Sequence, residues 1–132
     1  MANIPKEVLD LMAEQTTAKL IVSSTKDGVP HAIVAGSIGA PAPDTVIVGE
    51  VMMKKTAANL KANGNAEIVV VSGLKAYSIQ VKVKTRLDKG AELEAMNKAL
   101  AAMKLKAAAV WVFDVLSVYD QSAAASAGTK LA

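Results

Sequence analysis

The segment 46-VIVGEVMMKKTAANLKANGNAEIVVV-71 holds two apolar runs on either side of a short polar stretch. The first run, in residues 45–50, predicts a strand. The second run, in residues 66–72, predicts a strand that is apolar on both faces and is therefore central in a sheet. Residues 54–63 have helical spacing, and Gly64 follows them as a helix stop. The segment thus predicts a strand, a short helix and a second strand in succession.

Two lysines and a threonine, Lys54, Lys55 and Thr56, open this predicted helix. A helix N-terminus exposes free N–H groups and carries a partial positive charge, so cations there are unfavourable unless an anion compensates them. Ammonium and hydroxyl donors beside those N–H groups would suit a phosphate. The alternative is that both lysines are solvated and that Thr56 is a weak cap. Composition alone favours this alternative, whereas the unfavourable placement of the cations favours an anion site.

The rest of the chain predicts a mainly β domain with flanking helices. Helices and strands do not alternate regularly, which disfavours a doubly wound parallel sheet, and six short strands that start with a hairpin favour a small antiparallel barrel. The hairpin turn is Asp27-Gly28, and a loop is predicted at residues 40–44. The predicted elements are a helix at 5–15, strands at 18–25, 29–39 and 45–50, a helix at 54–63, strands at 66–72 and 76–87, a helix from Asp88 and a strand at 110–120.

Length and composition restrict the function classes. The 132 residues suit one domain, which we place at residues 1–120, followed by a small polar tail at residues 121–132. The chain has no cysteine, one histidine and a net charge of +3, so no metal site and no nucleic-acid partner is expected. It also lacks an apolar run that could span a membrane and an N-terminal signal sequence. We therefore expect a cytoplasmic protein with no membrane partner.

Nucleic-acid binding remains an alternative because Lys75, Lys82 and Lys84 lie close together in the sequence. Four aromatic residues and a single arginine argue against it, since base stacking and base-edge recognition use those side chains. No serine, histidine and aspartate combination suggests a hydrolytic triad, so the catalytic residues are unknown. The pair Met52-Met53 suits either an adaptable apolar pocket or plain core packing.

The sequence resembles the pyridoxamine 5′-phosphate oxidase-related split barrels that bind FMN, in their short single-domain form. Three stretches carry the resemblance, which covers about residues 5–130: 27-DGVPH-31, 46-VIVGEVMMKKTAANLKAN-63 and 107-AAAVWVFDVLSVYDQ-121. It implies a six-stranded antiparallel split β-barrel that forms a homodimer with an FMN site at the subunit interface. It also implies a flavin-dependent oxidoreductase or an electron-transfer protein, whose electron donor is unknown.

The resemblance also implies which residues bind the cofactor. The phosphate would be held by Lys54, Lys55 and Thr56. The ribityl chain and the ring would lie beside one strand segment and along the end of another. Those segments are Val34, Ala35, Gly36 and Ser37, and Val48, Gly49, Glu50 and Val51. The partner subunit would add residues 105–107 and Trp111.

Two departures from the family pattern keep alternatives open. Many members place threonine, asparagine or arginine where this chain has Val34 and Ala35, which have no side-chain donor. The substrate-binding residues of the true oxidase are absent, so oxidation of pyridoxamine phosphate is not expected. The cofactor could instead be a deazaflavin. The other alternative is a non-enzymatic ligand-binding or interaction barrel that has lost flavin.

Overall fold

The computed structural model describes all 132 residues and shows a mainly β protein with flanking helices, as predicted. None of its helices has the length and apolar composition needed to cross a membrane. In chain order the elements are α1 (Lys6–Ala13), β1 (Ala18–Ser24), β2 (Pro30–Val34), β3 (Ile38–Ala42), β4 (Thr45–Gly49), α2 (Lys54–Ala62), β5 (Asn65–Ser72), β6 (Lys75–Leu87), α3 (Ala91–Leu100), which a 3₁₀ turn at Ala101–Met103 extends, and β7 (Val110–Asp120).

The sheet has seven strands rather than the predicted six. The predicted strand at residues 29–39 is two strands, because β2 pairs with β1 whereas β3 pairs with β4. The predicted loop at residues 40–44 lies partly in β3, which is an edge strand. An edge strand can include Pro41 because its missing N–H group is not needed by a second neighbour. The apolar pattern of this stretch carries no information about which strand each half pairs with.

The order of strands in the sheet is β2-β1-β5-β6-β7-β4-β3, and every pair is antiparallel. The two edge strands, β2 and β3, are consecutive in the chain and are joined by only residues 35–37. At about 3.6 Å for each residue, this link cannot span an open sheet of seven strands that lie roughly 4.8 Å apart. The sheet therefore curls until its edges approach each other, and this closes the barrel.

Backbone pairing continues up to both sides of Gly36, which lies at the centre of this link. The Ala35 N–H donates to the Lys19 carbonyl on β1 at 2.9 Å, and the Gly49 N–H donates to the Ser37 carbonyl at 3.0 Å. The chain therefore leaves one edge of the sheet and joins the other within one residue. The link is thus held at both of its ends.

The barrel interior is built from alternate residues of the strands. In β6, the alternation of apolar and polar residues predicts that Tyr77, Ile79 and Val81 point one way and Ser78, Gln80 and Lys82 the other. Tyr77, Ile79 and Val81 are buried, and Gln80 and Lys82 are exposed, but Ser78 is buried as well. Burying one side chain of this size stabilises the fold by about 1.5–3 kcal/mol. The fully buried side chains include Ile21, Val46, Val48, Ile68, Val70, Phe113, Val115 and Val118. The central place of β5, between β1 and β6, agrees with its apolar composition on both faces.

Both chain ends lie along β7. Because β4 pairs only with residues 110–114 of β7, the rest of that edge is open to other partners. The Ala2 N–H donates to the Val115 carbonyl at 3.0 Å, and the Leu131 N–H donates to the Val118 carbonyl at 2.8 Å. The predicted tail thus turns back and covers a strand edge that would otherwise present unpaired backbone groups. A domain boundary at residue 120 stays a prediction.

Candidate functional site

A cavity of about 420 Å³ opens where β2 passes into β3. Three stretches of chain form its walls: the β2–β3 link, the turn between β4 and α2, and the end of α3 with the loop after it. Its volume lies within the range of roughly 300–1,000 Å³ that small-molecule sites occupy. Eight of its ten lining residues are hydrophobic, and none is charged: Ile33, Val34, Ala35, Gly36, Ser37, Val51, Met52, Leu100, Met103 and Leu105.

Large apolar side chains are exposed around this cavity. Val34 is 73% exposed, Met52 is 88% exposed and Met103 is 59% exposed. A single exposed apolar side chain on a protein surface is ordinary, but three around one concave site indicate a binding surface. The thioethers of the two methionines can also adapt to the shape of a ligand. The cavity therefore suits a flat, largely apolar group.

Met52 has a strained backbone. Its φ angle is +49°, in the left-handed region, which costs a residue with a side chain roughly 1–2 kcal/mol. Its exposed side chain contributes little packing to offset that cost. Backbone strain of this kind collects at functional sites, where the surrounding structure holds it in place. The strain therefore agrees with a ligand site at this turn.

Ser37 and Gly49 join the two sides of the barrel beside the cavity. The Ser37 hydroxyl donates to the Gly49 carbonyl at 2.8 Å. A Cβ atom on Gly49 would lie 3.0 Å from the Met96 sulfur and 3.1 Å from the Ser37 Cβ. Glycine is required here because α3 and the β2–β3 link pack closely against β4. The space above Gly49 is thus filled by the protein rather than left for a flat ligand.

The start of α2 lies next to the cavity and is rich in unpaired donors. Its N-cap residue is Met53, which has no side chain that can cap, and the N–H groups of Lys54, Lys55 and Thr56 have no partner in the chain. Both lysines are exposed. The first turns of α1 and α3 contain glutamates, whereas the first turn of α2 contains no acidic residue. This donor set fits a phosphate group.

Thr56 is buried, unlike the two exposed lysines beside it. Its side chain is fully buried, and its hydroxyl oxygen has no hydrogen-bond partner. An unsatisfied buried hydroxyl costs about 1–3 kcal/mol. The hydroxyl does not face solvent beside the lysine ammonium groups, so a contact with a bound phosphate requires its side chain to rotate.

Two asparagines fix the orientation of α2 on the barrel. The Asn59 amide donates to the Ser23 hydroxyl at 3.1 Å, and the Asn63 amide donates to the Ser24 hydroxyl at 2.8 Å. Asn59 and Asn63 are one helical turn apart and meet neighbouring residues of β1. These bonds hold the helix so that its N-terminus stays beside the cavity. Local sequence patterns do not predict either contact because the partners are 36 and 39 residues apart in the chain.

Glu50, at the end of β4, is engaged by two other strands. Its carboxylate accepts hydrogen bonds from Arg86 Nε at 3.1 Å, from an Arg86 terminal nitrogen at 3.0 Å and from Trp111 Nε1 at 2.8 Å. The Glu50 side chain is only 14% exposed. The hydrogen bond from Arg86, with the Trp111 N–H assisting, lowers the pKa of Glu50 below its ordinary value of 4.5. This carboxylate is therefore occupied by hydrogen bonds within the protein and is not free to contact the ring of a bound cofactor.

The lowered pKa of Glu50 predicts acid sensitivity. Because the carboxylate is stabilised in the folded state, it contributes stability above pH 4.5, and that contribution is lost as the pH falls through the folded pKa. Replacing Glu50 with glutamine should lower the free energy of unfolding at pH 6, and the difference from the native protein should shrink below pH 4.5. Urea unfolding between pH 3 and pH 6 measures this. A difference that does not change with pH would contradict it.

The structure brings together some predicted site residues and separates others. Val34, Ala35, Gly36, Ser37 and Val51 all line the cavity. Of the other predicted ring neighbours, Val48, Gly49 and Glu50 lie outside the lining, and Val48 is fully buried in the core.

The α3 side of the cavity was not predicted. Leu105, expected from a partner subunit, lines the cavity of its own chain together with Leu100 and Met103. The available signal was the spacing of Leu93, Met96, Leu100 and Met103 on one helical stripe, a pattern that suits a core-facing side as well as a cavity wall. Met52 lines the cavity, whereas Met53 is buried in the core.

No protein-family model and no curated protein matches this sequence. Solved structures do match the fold. HupZ from Group A Streptococcus matches with a TM-score of 0.80 and 24% identity over 95% of this chain and 99% of that chain. An FMN-binding protein from Syntrophomonas wolfei subsp. wolfei matches with a TM-score of 0.76 and 18% identity over 90% of this chain and 89% of that chain.

A putative pyridoxamine 5′-phosphate oxidase from Lactobacillus delbrueckii matches with a TM-score of 0.74 and 16% identity over 89% of this chain and 93% of that chain. This chain therefore has the split-barrel fold of pyridoxamine 5′-phosphate oxidase-like proteins, as the sequence resemblance predicted. The same fold occurs in an F420 reductase and in HutZ, a heme storage protein from Vibrio cholerae. At these identities the similarity establishes the fold alone, since proteins of one fold carry out different functions.

Proposed function

We propose that this protein binds FMN, or a related deazaflavin, with the ring in the cavity and the phosphate at the start of α2. We further propose that it acts in flavin redox chemistry or electron transfer. The observation that carries the proposal is the placement of an uncharged apolar cavity next to a helix N-terminus with unpaired donors. A flavin nucleotide has the matching form, with a flat ring at one end and an anionic phosphate at the other.

The two halves of the proposed site are close enough for one ligand. Met52 lines the cavity, and Lys54 starts α2 two residues later. Neighbouring Cα atoms are about 3.8 Å apart, so the two residues lie within roughly 8 Å of each other. A phosphate on the helix N-terminus would thus be a short linker away from a ring in the cavity. The unpaired N–H groups of the exposed residues Lys54 and Lys55 would donate to the phosphate oxygens.

The bound cofactor would supply hydride or electron transfer. The protein would bind the cofactor, exclude water with its apolar walls and orient the ring. No charged side chain lines the cavity, so no acid or base is assigned there. The Ser37 hydroxyl, which donates to the Gly49 carbonyl, keeps its lone pairs as acceptors for a polar ring edge or a ribityl hydroxyl.

A homodimer with the cofactor at the interface is part of this proposal. The exposed apolar side chains Val34, Met52 and Met103 would be covered in part by the ligand and in part by the second subunit. A cavity in one subunit that is open on this side would exclude water only when the other subunit closes it. Light scattering with and without FMN measures the mass of the assembly.

The visible spectrum of the purified protein tests the function. We expect flavin absorption that survives dialysis, or binding of added FMN with quenching of Trp111 fluorescence. A deazaflavin should compete with FMN. A colourless protein whose fluorescence does not respond to either compound would overturn the proposal.

A second candidate is a ligand-binding barrel that does not use flavin. The two exposed thioethers at the cavity, Met52 and Met103, favour it because methionine sulfur is an axial ligand of heme iron in other proteins. A hemin titration separates the candidates. A new Soret band that is lost when both methionines are replaced with leucine, together with no response to FMN, would favour heme.

A further inference from the structure

The turn at residues 50–53, between β4 and α2, supplies one wall of the cavity through Val51 and Met52. Met52 occupies the left-handed region, and its exposed side chain makes little contact that would hold it there. Something outside Met52 must therefore fix the conformation of this turn. On the helix side, Met53 is buried in the core, and its carbonyl accepts the first hydrogen bond of α2 from Ala57 at 2.8 Å.

On the strand side, Glu50 holds the turn through its backbone and its side chain. Its N–H donates to the Ala109 carbonyl at 2.8 Å, and its carbonyl accepts from the Ala108 N–H at 3.0 Å. Its carboxylate holds Arg86 on β6 by two bonds and Trp111 on β7 by a third. The Arg86 guanidinium also lies 5.7 Å from the centre of the Trp111 ring. We call Glu50, Arg86 and Trp111 the Glu50 cluster.

The same backbone bonds reach the opposite wall of the cavity. Ala108 and Ala109 follow the loop that carries Leu105, one of the lining residues. That loop is also fixed to α3, because the Ala107 N–H donates to the Asn97 side-chain oxygen at 2.7 Å. Glu50 therefore connects the wall formed by Val51 and Met52 with the wall formed by α3 and its loop.

We propose that Glu50 is a positioning residue for the cavity: the Glu50 cluster holds the strained turn and the α3 loop in the arrangement that accepts a ligand. This proposal depends on the proposed function only in the experiment that uses FMN as the probe. When a site is competent in only a fraction of molecules, the apparent dissociation constant rises by the inverse of that fraction. If loosening the cluster leaves about a tenth of the molecules competent, FMN binding weakens about tenfold.

The test compares Glu50→Gln and Arg86→Lys with Ile79→Val. Glutamine keeps the shape of Glu50 and removes its charge. Lysine keeps the charge of Arg86 but cannot make the bidentate contact with the carboxylate. Ile79 is fully buried between Ile68 and Val118 and does not line the cavity, so its variant loosens the core alone. If Glu50→Gln does not fold, Arg86→Lys still carries the test.

Amide hydrogen exchange without ligand gives the first measurement. We expect Glu50→Gln to raise exchange about tenfold at the Glu50 and Ala108 amides, whose hydrogen bonds join the turn to the α3 loop, Arg86→Lys to raise it less, and Ile79→Val to leave both amides unchanged. FMN titration gives the second measurement, with about tenfold weaker binding in Glu50→Gln, a smaller loss of affinity in Arg86→Lys and native affinity in Ile79→Val.

Unchanged exchange at the Glu50 and Ala108 amides in the Glu50 variant would overturn the positioning role. Faster exchange with native FMN affinity would overturn it as well. If the native protein does not bind FMN, the proposed function fails, and hydrogen exchange still decides whether the cluster holds the turn.

Discussion

Replacing Lys54 and Lys55 together with glutamine is expected to weaken FMN binding by about 10- to 100-fold and to leave riboflavin binding unchanged. A hydrogen bond to a charged group contributes about 1.5–3 kcal/mol, and each 1.4 kcal/mol changes a dissociation constant about tenfold. Both lysines are exposed, so their contribution lies at the low end of that range. Riboflavin has the same ring and no phosphate, so it measures the cavity alone.

The matched control is Lys82→Gln with Lys84→Gln. These lysines are also exposed. They lie on β6 beside residues 64–65, which follow the C-terminal end of α2 rather than its start, and their replacement changes the net charge by the same amount. Titrations at about 0.15 M salt, where charges more than roughly 8 Å apart are screened, separate a contact from a general attraction. If both double variants weaken FMN equally, the lysines do not form a phosphate site. Equal weakening of FMN and riboflavin by the α2 variant would point instead to damage to the cavity.

The sequence predicted the elements that have strong local patterns. Residues 54–63 have helical spacing and a glycine stop, and α2 occupies Lys54–Ala62. The alternation in β6 correctly predicted the buried face of Tyr77, Ile79 and Val81. In β5, which is apolar on both faces, only Ile68 and Val70 are fully buried. Helical spacing and strand alternation depend only on residues that are close in the sequence, so the periodicity of apolar residues reveals them directly.

The features that the sequence did not reveal depend on pairing between distant segments. The division between β2 and β3 follows from two different strand partners, and residues 29–39 contain no signal for it. The Glu50 cluster joins residues that are 36 and 61 positions apart. Half of the cavity lining was predicted, from the β2–β3 link and the β4–α2 turn. The α3 side was missed because Leu100 and Met103 suit a core-facing stripe equally well.

Replacing Thr56 with valine is expected to change stability and ligand binding in opposite directions. Valine keeps the β-branched shape and similar helix propensity, and it removes a buried hydroxyl that has no partner. The free energy of unfolding should therefore rise by about 1 kcal/mol. If the hydroxyl rotates to donate to the phosphate of bound FMN, the same substitution should weaken FMN binding about tenfold, since it removes one charge-assisted hydrogen bond.

Thr17 provides the control for this substitution, because it is the other buried hydroxyl without a partner. Thr17→Val should raise stability by a similar amount and leave FMN binding unchanged, which chemical denaturation and titration would both measure. The free energy of unfolding and the FMN affinity are measured independently, so either expected change can be absent while the other is observed. If Thr56→Val stabilises the protein and binds FMN with native affinity, Thr56 is a packing residue, and the phosphate site is formed by Lys54, Lys55 and the N–H groups of α2 alone. If Thr56→Val weakens binding and Thr17→Val does not, the buried Thr56 hydroxyl is a ligand of the phosphate. The stability that the unpaired hydroxyl removes from the free protein then results from keeping this donor at the site.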